Sequence, residues 1–199
     1  MSNLTMSSLL DTVVKAMPPK GNLRRYRVGV MFNGNPALVD GILALGHRTV
    51  VFSEKFRPLY RIHRAYRRIA AETLFDTAMM MEVSLDALPI APNSLDVLIL
   101  SNGLVVKNGP PSRVLKNLKR LLKPGGAFIW PERSSDGFWG GLSRMVHPFS
   151  RQTLGPIERR HLCRLSMEAG FREIGQIVST KSTFPWVVTF GSVGNRPWI

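Results

Sequence analysis

The sequence is short of acidic residues, of cysteine and of long apolar runs. Asp and Glu number 13 against 27 Lys and Arg in 199 residues, which gives a formal net charge of +14. Cys163 is the one cysteine, so an internal disulfide and a cysteine-based metal cluster are excluded. We predict that Cys163 is a buried structural thiol in a reducing compartment. No stretch approaches the roughly 20 apolar residues of a membrane-spanning helix.

The scarcity of acids makes a polyanion the natural partner: RNA, a ribonucleoprotein or an acidic membrane face. The alternative is a basic surface that only keeps the protein soluble. The main candidate site for a polyanion is the segment 57–71, predicted to be helical. Four of its arginines share one helical face, with Arg67 close by: Arg57, Arg61, Arg64 and Arg68. Two further basic groups occur at 113–123 and 159–164, and each is either a solvated helix face or part of a phosphate-binding surface.

The first 25 residues contain little acid and one amphipathic pattern. Five apolar residues predict one helical face: Leu9, Leu10, Val13, Val14 and Met17. Such a start is compatible with an organelle transit peptide, and equally with a helix that packs on the following sheet. We favour the packed helix, because residues 18–21 (Pro-Pro-Lys-Gly) end it just before a strand. The expected location is the cytoplasm, with a mitochondrion or another organelle as the alternative.

Apolar runs and helical patterns alternate along the rest of the chain. The predicted strands are residues 27–32, 48–53, 79–85, 95–100, 127–131, 171–179 and 185–190. The predicted helices are residues 37–45, 57–71, 111–122 and 157–169, and residues 123–126 (Lys-Pro-Gly-Gly) are predicted to form a turn. Alternation predicts one doubly wound α/β/α domain with a mostly parallel sheet, and the close final pair of strands predicts an antiparallel hairpin at one edge.

Four landmarks resemble the class I S-adenosylmethionine-dependent methyltransferases, in particular their type 11 branch. They are Leu88-Pro89, the aspartate Asp96 at the opening of the fourth strand, the Leu-Lys-Pro-Gly-Gly stretch at 122–126, and Ala-Gly-Phe at 169–171. Their order and spacing agree with the family over roughly residues 9–190. The resemblance implies S-adenosylmethionine as cofactor and methyl transfer as activity, with no metal. Since this cofactor carries its own activated methyl group, no fixed catalytic triad is implied.

The resemblance also implies where the cofactor is held. The family's acidic residue and glycine-rich loop after the first strand correspond to residues 31–36 here, in which Met31 or Phe32 stands at the acidic position and Gly34 is the one glycine. Asn33 and Asn35 flank Gly34 and tolerate left-handed backbone conformations. This degenerate loop either still binds the cofactor or is a relic turn. Glu54 follows the second strand, where a carboxylate accepts hydrogen bonds from the two ribose hydroxyls.

The remaining implied positions follow the third, fourth and fifth strands. Ser84 and Asp86 stand where the family accepts a hydrogen bond from the adenine amino group, and Ser101 and Asn102 are placed at the pocket floor. Residues 132–157 resemble the family's acceptor lid, with His147 as a candidate base. Two hypotheses follow: a methyltransferase with an unidentified acceptor, or an inactive methyltransferase-like scaffold in an RNA-rich, membrane-associated or other protein assembly.

Overall fold

A computed structural model describes residues 3–17, 26–32, 36–53, 60, 78–84, 88–101, 111–133, 158–179 and 186–194. The helices in these ranges are α1 (Asn3–Ala16), α2 (Pro36–Ala44), α3 (Pro111–Lys119) and α4 (Arg159–Glu168). The strands are β1 (Arg27–Phe32), β2 (Arg48–Ser53), β3 (Ala78–Glu82), β4 (Leu95–Ser101), β5 (Leu122–Arg133), β6 (Arg172–Ser179) and β7 (Trp186–Ser192). No helix in this described part of the chain is long and apolar enough to cross a membrane.

The seven strands form one sheet in the order β3-β2-β1-β4-β5-β7-β6. The first five positions are parallel, and β7 pairs antiparallel with both β5 and β6. The predicted fold class is therefore confirmed, including the antiparallel pair at the C-terminal edge. The strand order reverses between β1 and β4, which is the place where open α/β sheets bind ligands at the carboxyl ends of their strands.

Each face of the sheet buries its own apolar cluster. On one face α3 and α4 cover Leu98, Leu100 and Phe128, and on the other α1 and α2 cover Val28, Val30 and Ile99. The strands that lie in the middle of the sheet are continuous apolar runs because both of their faces are covered. The predicted packing of α1 on the sheet is confirmed: Leu9 and Val13 are buried.

The stretch Lys123–Gly126 is not the predicted turn, because it lies inside β5. The strand begins at Leu122, and its register against β4 jumps from Leu95↔Leu122 to Val97↔Ala127, which is a bulge. Gly125 has a φ of 76° and donates its N–H to the carbonyl of Val193 at 2.6 Å. Local Pro and Gly chemistry predicts a turn; here the segment is the bulged part of β5, and hydrogen bonds of Gly125 and Gly126 with Val193, just after β7, attach it to the sheet.

Three smaller predictions are corrected as well. Val14 is 39% exposed and does not belong to the buried face of α1. Cys163 is only half-buried. The predicted lid-like segment begins later than residue 132, since Glu132 and Arg133 are the last residues of β5.

Candidate functional site

The edge of the sheet where the parallel strands begin is organised around Asp96. Its carboxylate accepts a hydrogen bond from the backbone N–H of Arg27 at 2.9 Å and forms an ion pair with Lys123 at 2.5 Å. Asp96 thus ties the start of β1 and the bulge of β5 to β4. Burial, and then the nearby charge of Asp96, raise the pKa of Tyr26, which packs against the ring of His47 at a centroid distance of 5.4 Å.

The opposite edge, where β1 to β4 end, is the candidate cofactor site. The register aligns Phe32 with Ser101 and Ser53 with Glu82, so the last residues of these four strands lie at one level. The backbone N–H of Val83 extends this alignment by donating to the carbonyl of Ser53 at 3.0 Å. The four strand ends that precede residues 33, 54, 83 and 102 therefore lie together, where open α/β sheets bind their ligands.

Two predicted site residues lie at this edge in the described part of the chain. Ser84 is exposed just after β3, and Ser101 is the last residue of β4. The other predicted site residues lie outside the described residues: Asn33, Gly34, Asn35, Glu54, Asp86, Asn102 and His147. The predicted arginine face also lies outside them: Arg57, Arg61, Arg64, Arg67 and Arg68. Within that segment Tyr60 is described, and it is 54% exposed.

The residues at the family's acidic position are core residues here. Met31 is 1% and Phe32 2% exposed, and their side chains join the apolar clusters on opposite faces of the sheet. Neither side chain is able to replace a carboxylate as hydrogen-bond acceptor. Any cofactor contact from this loop therefore depends on residues 33–35.

Two acidic residues at this edge were not predicted from the sequence. Glu82 ends β3 with an exposed side chain beside Ser53. Glu132 is 7% exposed near the end of β5 and accepts a hydrogen bond from the indole N–H of Trp130 at 3.3 Å. The alternation of β5 is a signal for Glu132, because Phe128, Trp130 and Glu132 share one face of an uninterrupted strand.

An open depression of about 620 Å³ lies elsewhere, between α4 and β6. Its lining includes Arg159, Arg160, Cys163, Met167 and Gln176. Burial raises the pKa of the Cys163 thiol, which keeps it protonated and weakly nucleophilic. No group of side chains suited to a metal ion occurs among the described residues.

Comparison with solved structures identifies the fold. The methyltransferase SibL aligns with 98% of this chain and 56% of its own at 19% identity, with a TM-score of 0.69. The cyclase SpnF aligns over 94% of this chain and 80% of its own at 13% identity and a TM-score of 0.72. An S-adenosylmethionine-dependent methyltransferase of Thermotoga maritima aligns over 94% of this chain and 89% of its own at 17% identity, with a TM-score of 0.66. The chain thus spans little more than half of SibL.

The protein therefore has the class I fold of S-adenosylmethionine-dependent methyltransferases, as the four landmarks indicated. Residues 52–130 match the model of a methyltransferase domain family. It is the type 11 branch that the sequence landmarks resemble. That stretch runs from the end of β2 into β5, so it contains neither β1 nor the loop at 33–35. No sequence among the curated proteins matches the chain significantly.

Proposed function

We propose that this protein transfers a methyl group from S-adenosylmethionine to an acceptor. The observation that carries the proposal is the common level at which β1, β2, β3 and β4 end in a sheet of class I order. The family match supports it, since residues 52–130 include the ends of β2, β3 and β4 at this edge. The likeness to SpnF, a cyclase, shows why the fold alone does not decide the reaction.

The residues present at this edge fit a cofactor that carries hydroxyl and amino groups. Glu82 and Ser84 are exposed acceptors at the end of β3, close to the predicted adenine position. In this proposal Glu54 holds the ribose hydroxyls, and Asp86, Asn102 and Ser101 complete the pocket. The segment Asn33–Gly34–Asn35 passes the cofactor with its backbone, since no carboxylate precedes it.

The cofactor supplies a methyl group on a sulfonium. When bound, it would require a nucleophilic atom of the acceptor in line with that methyl group and a base or water to take the acceptor's proton. The protein's contribution is to bind both molecules in line and to exclude water. His147 is the candidate base for an acceptor that must lose a proton.

Calorimetry with S-adenosylmethionine and S-adenosylhomocysteine tests the proposal. We expect both to bind, and Glu54→Gln to weaken binding about tenfold or more, because charge-assisted hydrogen bonds to the ribose are lost. Glu168→Gln is the matched control: it makes the same change on an exposed residue at the far end of α4, and binding should not change. Absence of heat and of a thermal shift at millimolar ligand would contradict cofactor binding.

A second candidate function is that of an inactive methyltransferase-like scaffold. It is favoured by the apolar Met31 and Phe32 at the acidic position and by the net charge of +14. The two candidates differ in the calorimetric experiment, since a scaffold requires no cofactor affinity. In the scaffold reading, the basic surface would be the functional part and would hold the protein in an RNA-rich or membrane-associated assembly.

A further inference from the structure

Helices α3 and α4 lie side by side and point the same way. The Nζ of Lys119, at the end of α3, donates to the carbonyl of Gly170, just after α4, at 2.6 Å. The end of α3 is also fixed to the chain before β4, because the N–H of Asn93 donates to the carbonyl of Arg120 at 3.0 Å. Both helices therefore end near the Asp96 edge of the sheet and begin toward the candidate cofactor edge. We call their joint solvent side the tandem-helix face.

The tandem-helix face is rich in cations. Residues 111–123 and 158–170 contain eight Lys and Arg and two Glu, and the first range contains no acid at all. Arg113 and Lys116 on α3 and Arg120 just after it are exposed at spacings of three and four residues, so they form one stripe along the helix and its end. The stripe is about 10 Å long at 1.5 Å per residue.

Not every cation of this face is available to a partner. Lys119 donates to the carbonyl of Gly170, and Lys123 forms an ion pair with Asp96. Arg164 contacts both Glu168 and His161. Arg113, Lys116 and Arg160, in contrast, are exposed and have no acidic partner among the residues that the structure describes. Arg120 directs one guanidinium nitrogen to the carbonyl of Leu88 at 3.3 Å. An anion from outside thus meets two unengaged charges on α3, and a third, Arg160, at the depression beside α4.

The placement of Arg113 is unfavourable for the isolated helix. It lies in the first turn of α3, which has no acidic residue, and the start of a helix carries a partial positive charge from its backbone. A cation at that place is repelled. Solubility does not require this arrangement, because the same charge on the last turn would stabilise the helix. An anionic partner offsets the repulsion.

The chemistry of this face suits a phosphate chain better than a bilayer. Large apolar side chains that are exposed in the described part of the chain are Val14, Tyr60, Met79 and Met167, and of these Met167 alone lies on the tandem-helix face. A helix that lies in a membrane surface needs a broad apolar side, which the exposed surface of α3 lacks. Three of the exposed cations of this face are arginines: Arg113, Arg120 and Arg160. A guanidinium group binds phosphate through two parallel N–H groups.

We propose that the tandem-helix face binds the phosphate backbone of a nucleic acid, with Arg113 and Lys116 as its main contacts. This binding is independent of methyl transfer, and it requires neither the cofactor nor the segment 57–71. The contacts are electrostatic, so they carry little sequence preference and depend strongly on salt.

Fluorescence anisotropy with a labelled oligouridylate tests the proposal on the full chain. We expect binding at low salt with an affinity that falls steeply between about 50 and 200 mM salt. The double variant Arg113→Glu/Lys116→Glu should weaken binding about tenfold to a hundredfold at low salt and reduce the slope of log K against log salt by about 1.4, since each contact with a single strand contributes about 0.7. Both side chains are exposed and neither has a hydrogen bond or an ion pair within the described structure, so the variant should remain folded.

The matched control is Lys15→Glu/Arg48→Glu, which changes net charge equally. Lys15 and Arg48 are exposed, on α1 and at the start of β2, away from the tandem-helix face. Equal weakening by both double variants would assign binding to overall charge and overturn the proposal. So would a lack of RNA binding at low salt, or binding of vesicles containing phosphatidylserine without binding of the oligonucleotide. Cofactor binding in calorimetry should not change with either pair, because none of the four residues is a proposed cofactor contact, so failure here is distinct from failure of the methyltransferase proposal.

Discussion

The two edges of the parallel sheet differ in what holds them. At the edge where the strands begin, Asp96, Lys123 and the backbone of Arg27 form a closed set of contacts. At the edge where they end, Phe32 and Ser53 are buried and the exposed side chains of Glu82 and Ser84 face outward. The landmarks Asp96 and Lys-Pro-Gly-Gly, which carry much of the family resemblance, lie at the first edge. They identify the fold through its packing, whereas the proposed methyl transfer would depend on the second edge.

The largest expected effect at the packed edge comes from Gly126→Val. A Cβ at this position would lie 2.9 Å from the carbonyl oxygen of Lys123 and 3.3 Å from that of Asp96. Backbone atoms cannot move aside cheaply, so we expect the free energy of unfolding to fall by about 3 kcal/mol. Urea denaturation measures it, and Gly46→Ala is the control. Gly46 has a φ of 73° and open space around its Cβ position, so that substitution should cost only about 1 kcal/mol of backbone strain. Equal losses would refute the steric argument.

Asp96→Ala should be the next largest effect. It removes the acceptor for the N–H of Arg27 and the partner of Lys123, and the side chain of Asp96 is 25% exposed. We expect a loss of about 1–2 kcal/mol, discounted because the site is partly solvated. Lys123→Met leaves the backbone hydrogen bond intact and should cost about 0.5 kcal/mol. If the lysine variant costs as much as the aspartate variant, the ion pair rather than the backbone contact holds this edge.

The next prediction concerns Asp40 on helix α2, the helix that follows β1 at the candidate cofactor edge. Burial raises the pKa of its carboxyl above the ordinary value. The folded protein then binds a proton at Asp40 more readily than the unfolded chain, so the contribution of Asp40 to stability is greatest below the unfolded pKa and is lost as pH rises through the folded pKa. Asp40→Asn should remove that decline and raise stability at neutral pH by about 0.5 kcal/mol. Thermal melts of both proteins across the acidic range give the answer, and an unchanged pH slope would exclude Asp40 as its source.

Ser84→Ala should have the smallest effect on stability and so separates the two edges most sharply. Its side chain is exposed after β3, and we expect the melting temperature to shift by less than the equivalent of about 0.5 kcal/mol. Under the proposed function, the affinity for S-adenosylmethionine should fall a few-fold because one hydrogen bond is lost. A large loss of stability without a change in affinity would show that this edge is structural as well.

Sequence reasoning succeeded where a local pattern determines the outcome. The apolar runs at 27–32 and 48–53 gave the bounds of β1 and β2 as the structure has them. It failed where distant residues decide. Lys119 contacts Gly170, 51 residues away, and Lys123 contacts Asp96, 27 residues away, so helical spacing alone overstated the number of cations that are available to a partner.

The candidate site was predictable in its position and less so in its members. The predicted topology alone placed the candidate site at the carboxyl ends of β1 to β4, and Ser84 and Ser101 lie at that edge of the sheet. Glu132 was missed because the strand prediction stopped at Pro131, which has no N–H for a ladder. In the structure β5 continues past it, paired with Val188 of β7. The pairing partner of a strand is not visible in its own sequence.

The position of β7 in the sheet determines when the sheet is completed during synthesis of the chain. It lies between β5 and β6 although β6 precedes it in the chain. While the chain is being synthesised, β6 has no neighbour to join and β5 keeps one edge unpaired until residues 186–192 emerge. Completion of the sheet then depends on a late pairing between residues as distant as Ala127 and Ser192. Such an open strand edge attracts other chains, so slow synthesis or early termination near the C-terminus exposes this protein to aggregation.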